Sequence, residues 1–230
     1  MEGANITERA YILLRKDIIS CKLPPCSMLK ISAIQKDLTL SQAAVREALS
    51  RLAAEGFVQI ERNRGFRVSP VSADGYRDLT TALLTLELPA VRESVLKGNT
   101  EWELNLVGVY HRALRTLELV VAGKEKLDAY WDERLHFYDA LLGACENSWL
   151  LWSWRLLYAQ NIRYRHMYLP LAKFELELNP HHQSVMDAVL ARDVDKVAEL
   201  CIENYDMVSR FIEQRLVEEG AVAVPSGQVL

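Results

Sequence analysis

The chain has 230 residues, half of them apolar, a net charge of −4, and only ten glycines and seven prolines. That is enough apolar material for one large or two modest domains with real cores, and the scarcity of glycine and proline leaves room for long helices. No uninterrupted apolar run reaches membrane-spanning length and no basic-then-apolar leader opens the sequence, so a cytoplasmic protein is expected. The charge is unevenly spread. Residues 1–70 carry 11 Lys/Arg against 7 Asp/Glu, whereas residues 71–230 carry 16 against 24. A basic module on an acidic body suits one part that faces phosphates and another that avoids them. The cysteines Cys21, Cys26, Cys145 and Cys201 form no CxxC pair. They read as free thiols, the last two in helix packing.

In chain order, residues Ile6 to Ile19 place Ala10, Ile12, Leu13, Leu14, Ile18 and Ile19 at helical spacing, with Thr7 near the start. Lys22-Leu23-Pro24-Pro25-Cys26 breaks that helix. Ser32 to Leu38 reads as a short second helix with Ser32 as its candidate cap and Ile34 and Leu38 as an i,i+4 pair. Leu40 packs under the following turn, and Ser41 is placed to accept a free amide at the start of a third helix. Val45, Leu49 and Leu52 form the buried stripe of that helix, while Gln42, Arg46 and Ser50 lie on another face. Gly56 leads into a hairpin that alternates Phe57, Gln59 and Glu61 with Phe66 and Val68 around an apex of Asn63-Arg64-Gly65. The module closes at Pro70. A helix followed by a basic-tipped hairpin is a winged helix-turn-helix arrangement, so duplex DNA is the expected partner. On an ordinary solvated helix Arg46 would instead pair with Glu47 or another acid.

From Asp74 onward the pattern is almost wholly helical, with helices expected near 74–97, 100–122, 125–144, 147–168, 174–191 and 194–217. Breaks fall at Gly98-Asn99, Gly123, Glu146-Asn147, Pro170 and Ala191-Arg192-Asp193. Short connections between long helices imply an antiparallel bundle. The expected fold is therefore mainly α: residues 1–70 a winged helix-turn-helix of three helices and a β-hairpin wing, residues 71–219 an all-α antiparallel bundle of about six helices, and residues 220–230 a disordered tail.

Within the bundle, Asp132 and His136 are four apart and share a helix face. His182 lies ten residues before Arg192, at the turn between the last two helices, and Asn204 lies twelve after it. An antiparallel hairpin sets those two at nearly the same height. Convergence of the four would give imidazole, carboxylate and amide donors suited to Zn, Ni or Mn. The plainer alternative is an i,i+4 pair and a surface histidine. His181 points about a hundred degrees away from His182 and is set aside.

The run "VREALSRLAAEGFV…NRGFRV", preceded by "LPPCSMLK", resembles the winged-helix signature of GntR-type bacterial regulators. The helical remainder, through "DERLHFYDAL…N", "HHQSVMDAVLARD" and "CIENYDMV", resembles the FCD ligand-sensing domain of the FadR-type subgroup. Together they cover about residues 6–217. The resemblance implies a homodimer that binds a palindromic operator, most often as a repressor, with its grip on DNA controlled by a small organic acid. It implies that Arg46 reaches operator guanine or phosphate, guanine O6 and N7 matching the arginine fork. It further implies that Gln42 stands at a base-reading position, Ser41 caps and contacts phosphate, and Arg64 and Gly65 place the wing tip in the minor groove. Lys30 and Arg62 are expected to add phosphate contacts. Ser32 departs from the basic residue of some relatives, and Cys26 stands where a glycine usually follows "LPP". For the bundle, the resemblance implies a divalent metal on Asp132, His136 and His182, with Asn204 in place of a third histidine.

The effector, a small carboxylate, would sit against that metal and an arginine, Arg163 or Arg165. Arg165 is preferred because it continues the stripe Leu150, Trp154, Leu157, Asn161. "RYRHMYL" is similar to regulators that sense small dicarboxylates. Leu83, four residues before Glu87, replaces an arginine of many relatives. Trp149, Trp152 and Trp154 are expected in core and interface packing. The alternative reading is a helical-bundle metalloenzyme in which Asp132, His136 and His182 activate water. It lacks a general base, an HExxH motif and a phosphate loop, and it leaves the winged module unexplained, so no enzyme is expected.

Overall fold

The computed structural model describes residues 6–62, 64–168 and 178–218. Its elements run α1 (Ile6–Ile19), β1 (Met28–Leu29), α2 (Ile31–Leu38), α3 (Gln42–Ala54), β2 (Val58–Glu61), β3 (Gly65–Val68), α4 (Ala73–Lys97), α5 (Thr100–Val121), α6 (Leu127–Leu141), α7 (Ser148–Tyr168), α8 (Asn179–Leu190) and α9 (Val194–Glu218). The apex residue Asn63, the break at Pro170, positions 174–177 of the expected fifth bundle helix and the tail from Gly220 lie outside the described residues.

Two apolar cores divide the chain around Ser69-Pro70. In the first, Ala10, Leu14 and Ile18 repeat every four residues along α1 and meet Val45, Leu49 and Leu52 of α3, with Phe57, Phe66 and Val68 closing the far side. The start of α3 is set by Ser41, whose Oγ accepts from the Ala44 amide at 3.2 Å and satisfies one of the donors a helix leaves open. The start of α2 departs from expectation. Lys30, leaving β1 in extended backbone, is the residue before the helix and makes no side-chain cap, while Ser32 sits exposed within the first turn. Thr39 ends α2 with a left-handed backbone, φ +54°.

The wing has one strand more than the hairpin expected from sequence. The sheet order is β1-β3-β2, antiparallel throughout, with Met28 opposite Arg67 and Val58 opposite Val68. Two residues are too few to show a period-two pattern, so β1 is invisible without its partner. Just before it, Cys26 takes φ +64°, the left-handed region that glycine enters without strain. The sheet end enforces this: the Cys26 amide donates to the Val68 carbonyl at 3.0 Å, and its carbonyl accepts from Arg67 Nη1 at 2.5 Å. Cys26→Gly should therefore stabilise the protein by about 0.5–1 kcal/mol, because left-handed strain of roughly 1–2 kcal/mol exceeds the entropy added to the unfolded chain. Thermal unfolding followed by circular dichroism checks this; a lower midpoint in the variant contradicts it.

The second core gathers α4 to α9. Helix α4 packs against α7 and α9, α5 against α6, and α8 against α9. Ser72, Asn99 and Asn147 cap α4, α5 and α7 by accepting from the amides of Gly75, Trp102 and Leu150 at 3.0, 2.9 and 3.1 Å. The expected turn at Arg192 clamps two ends of the bundle together, its guanidinium donating to the Val95 and Gly98 carbonyls at 2.6 and 2.7 Å. Of the α7 tryptophans, only Trp154 is in the core. Trp149 and Trp152 are 77% and 60% exposed and meet edge to face, 6.1 Å between ring centres. The cysteines are free, with Cys145 and Cys201 buried.

Candidate DNA interface and effector centre

Ser41, Gln42 and Arg46 lie exposed at the first turns of α3, and Arg64 and Gly65 lie exposed at the wing. Gln42 and Arg46 are one turn apart on one face. Lys30, Arg46, Arg62 and Arg64 are all exposed, and none enters an ion pair among the described residues. Glu47, the acid that could neutralise Arg46, instead accepts from Thr7 Oγ1 at 3.4 Å. The inward arginines of the module are used internally: Arg15 with Glu55, Arg51 with Glu8, and Arg67 with Glu61. Arg46 near the start of α3 and Arg62 and Arg64 on the wing are thus among the module's cations that carry no ion pair among the described residues, where phosphates would meet helix amides as well. Gly65 has φ +97° with nothing among the described residues within 4 Å of where a Cβ would be, so it serves the backbone turn and not packing.

This module rests on the second half of α7. Gln160 Nε2 donates to the Glu55 carbonyl at 3.0 Å, Arg163 Nη2 donates to the Ser69 carbonyl, and the Cys21 thiol donates to the Arg163 carbonyl at 3.7 Å. Beside these contacts a cavity of about 440 Å³ opens between α1, α6 and α7, lined among others by Ile12, Arg15, Trp131, Asp132 and Tyr158.

The four residues expected to hold a metal do not come together. His182 and Asn204 are inside the bundle, 6% and 5% exposed, and line a cavity of about 20 Å³ with Glu87, Tyr138 and Cys201. Asp132 and His136 are on the outer side of α6. Asp132 borders the cavity against α1, and His136, its side chain 59% exposed, faces Glu133 at 3.8 Å and a surface cleft with Arg112 and Asp139. Helical geometry explains the correction. The buried positions of α6 are Tyr130, Trp131, Arg134, Phe137, Tyr138 and Leu141. Arg134 and Tyr138 are each two residues, about 200°, from Asp132 and His136. Among the described residues no group of three or more His, Cys, Asp and Glu side chains could hold a metal ion.

Arg134 occupies the centre instead. Its Nη1 lies 3.0 Å from His182 Nε2 and donates to the imidazole lone pair that a metal would need. Burial, then the charge of Arg134, pushes the His182 pKa well below the ordinary histidine value. A dication held beside that guanidinium would meet repulsion of several kcal/mol on the order expected for close charges in a protein interior. The donors present do not fit a divalent ion. Across the centre, the fully buried Glu87 accepts from Trp154 Nε1 at 2.9 Å and Tyr205 OH at 2.7 Å. Burial raises its pKa, against those two hydrogen bonds and the charges of Arg165 and Arg134.

Arg163 and Arg165 are both buried, and they divide the work. Arg163 reaches the DNA-binding module, whereas Arg165 is close enough to Glu87 and His182 to bias their ionisation. Leu83 is fully buried one turn before Glu87. Arg134 and Tyr138 escaped the sequence reading, although a signal was available. Trp131, Arg134, Phe137/Tyr138 and Leu141 recur at spacings of three and four, and an arginine within an apolar stripe marks a charge turned inward.

Residues 6–68 match the family described as bacterial regulatory proteins, gntR family, and residues 78–206 match the FCD domain. The HTH-type transcriptional regulator BphR of Paraburkholderia xenovorans is 34% identical over 197 residues, covering 85% of this chain and 80% of its own length. The HTH-type transcriptional repressor GlaR of Escherichia coli is 31% identical over 195 residues, covering 83% and 88%. The solved structure of E. coli McbR/YncC shares the fold, with a TM-score of 0.78 at 19% identity, covering 92% of this chain and 99% of that one. No helix among the described residues is long and apolar enough to cross a membrane. The family and these relatives are transcription regulators and not enzymes, which sets aside the metalloenzyme alternative. The chain belongs to the GntR family of bacterial DNA-binding transcription regulators, in the FadR-type subgroup that carries an FCD domain.

Proposed function

We propose that this regulator is a cytoplasmic homodimeric repressor that grips a palindromic operator through α3 and the wing, and that a small organic acid bound inside the helical domain changes that grip. The observation that carries the coupling is on α7. Two residues apart, Arg165 biases the charges of the bundle centre and Arg163 is bonded to Ser69 at the edge of the DNA-binding module. The cavity at the centre, about 20 Å³, has room for one water, so an acid can enter only if the helices around it shift. A shift of α7 moves the surface on which the winged module rests. The acid acts by preferring one arrangement of the two modules over the other, and a few kcal/mol of preference suffices to change operator occupancy strongly. The exposed Trp149–Trp152 pair supports a second copy of this chain as the partner on the far end of α7, since large exposed aromatics favour interface cores.

The test is binding of the full-length protein to fluorescent genomic fragments in the presence of bulk competitor DNA. Arg46→Ala should weaken specific binding by roughly 1–3 kcal/mol, about 5- to 150-fold, with a much smaller effect on non-specific duplex. An Arg46→Ala protein that binds its operator as tightly as the parent removes Arg46 from the interface.

A further inference from the structure

Resting on the acid-sensing reading above, we infer that the effector centre of this chain works without a metal: Arg134 stands beside His182 where an ion would be held, and its guanidinium, with Arg165, is the cationic contact for the effector's carboxylate.

Three observations converge on this. First, Arg134 is buried and on the inward stripe of α6, while the acid and imidazole that could have completed a metal site, Asp132 and His136, lie exposed on the outer side of that helix. Second, the lone pair of His182 is already engaged by Arg134 Nη1 at 3.0 Å, so the histidine serves as an acceptor that orients the guanidinium. A fork of five donors fixed in this way matches the planar geometry of a carboxylate, which can accept two parallel hydrogen bonds from it. Third, Asn204 is 5% exposed and lines the same cavity, yet neither its amide nitrogen nor its amide oxygen has a hydrogen-bond partner among the described residues. Buried amides are rarely left so, and this one can donate to an incoming carboxylate. Glu87 is the resident acid of the centre. Its place is taken up by the two fixed donors Trp154 and Tyr205, so it balances the arginine charge from the α4 side and leaves the His182–Asn204 side for the ligand.

Two measurements on full-length protein test the assignment. In the first, chelator-treated protein is equilibrated with Zn, Ni or Mn ions, dialysed and subjected to elemental analysis. Wild type and His182→Ala should retain equal amounts. One equivalent of ion in wild type that is lost in His182→Ala overturns the inference. In the second, the metal-free protein is titrated with acetate, succinate and benzoate and its unfolding midpoint is followed. At least one acid should raise the midpoint of wild type and of His136→Ala, and Arg134→Met should abolish the rise. Should Arg134→Met fail to fold, Arg134→Lys decides: losing the fork should weaken the response about tenfold, and an undiminished response overturns the role of Arg134. A response that appears only after metal is restored overturns the metal-free centre while leaving acid sensing intact. A wild type that answers none of the acids, with or without metal, overturns acid sensing itself and the Arg134 contact with it.

Discussion

Replacing Glu87 by leucine should lower stability by about 3–5 kcal/mol, the range for removing one member of a buried charged network. Leucine is close in size, so the loss is electrostatic and not a cavity effect. The carboxylate accepts from Trp154 and Tyr205, both buried in the core, and it is the acidic group set against Arg165 and Arg134. Leucine leaves an indole N–H and a phenol without an acceptor and deprives the arginines of their counter-charge. Denaturant unfolding is the measurement, and a Glu87→Leu protein within 1 kcal/mol of the parent, a threshold set by ordinary surface substitutions, contradicts the network. Both donors meet on one carboxylate oxygen, so Glu87→Gln can keep that acceptor while losing the charge, and it should lose less than half as much, which separates hydrogen bonding from charge.

Arg163→Ala should cost about 2–3 kcal/mol and uncouple the two halves of the molecule. The guanidinium is buried and donates to the Ser69 carbonyl at the junction of the two cores, while the Arg163 carbonyl accepts from the Cys21 thiol. Alanine leaves the Ser69 carbonyl buried without its charged donor, which is the costly direction for a hydrogen bond. The α3 residues proposed to read DNA are untouched, so operator affinity without effector should stay within a few-fold of the parent. What should disappear is the influence of the proposed effector on that affinity, and calorimetry should resolve two transitions where the parent has one. A variant whose operator binding still responds fully to an acid would falsify the role of Arg163 in coupling.

Much of this was legible in the chain itself. The α3 stripe of Val45, Leu49 and Leu52, the Ser41 cap and the bundle helix limits follow from local rules, because capping and amphipathic spacing act over a few residues. The wing was legible only in part. Its hairpin shows a period of two, but β1 is defined by pairing with Arg67 and Phe66, some forty residues away. Cys26 shows the same limit. A non-glycine residue in a left-handed turn is held there by the sheet end and not by its neighbours in sequence.

The centre of the bundle was misread for a physical reason. The i,i+4 spacing of Asp132 and His136 shows that they share a face of α6, and says nothing about which way that face turns. The direction is decided by where Trp131, Phe137, Tyr138 and Leu141 bury their surface, and the arginine in their midst is carried inward with them. Sequence by itself determined the two modules, the Ser41-capped start of α3 and the exposed cationic face, since each depends on short-range geometry and charge. Only the tertiary structure decided that Arg134 meets His182, that Asn204 lies beside them with no hydrogen-bond partner among the described residues, and that Arg163 and Arg165 part toward different domains. Those outcomes depend on the rotation and docking of whole helices, which the burial of apolar surface sets across the entire fold.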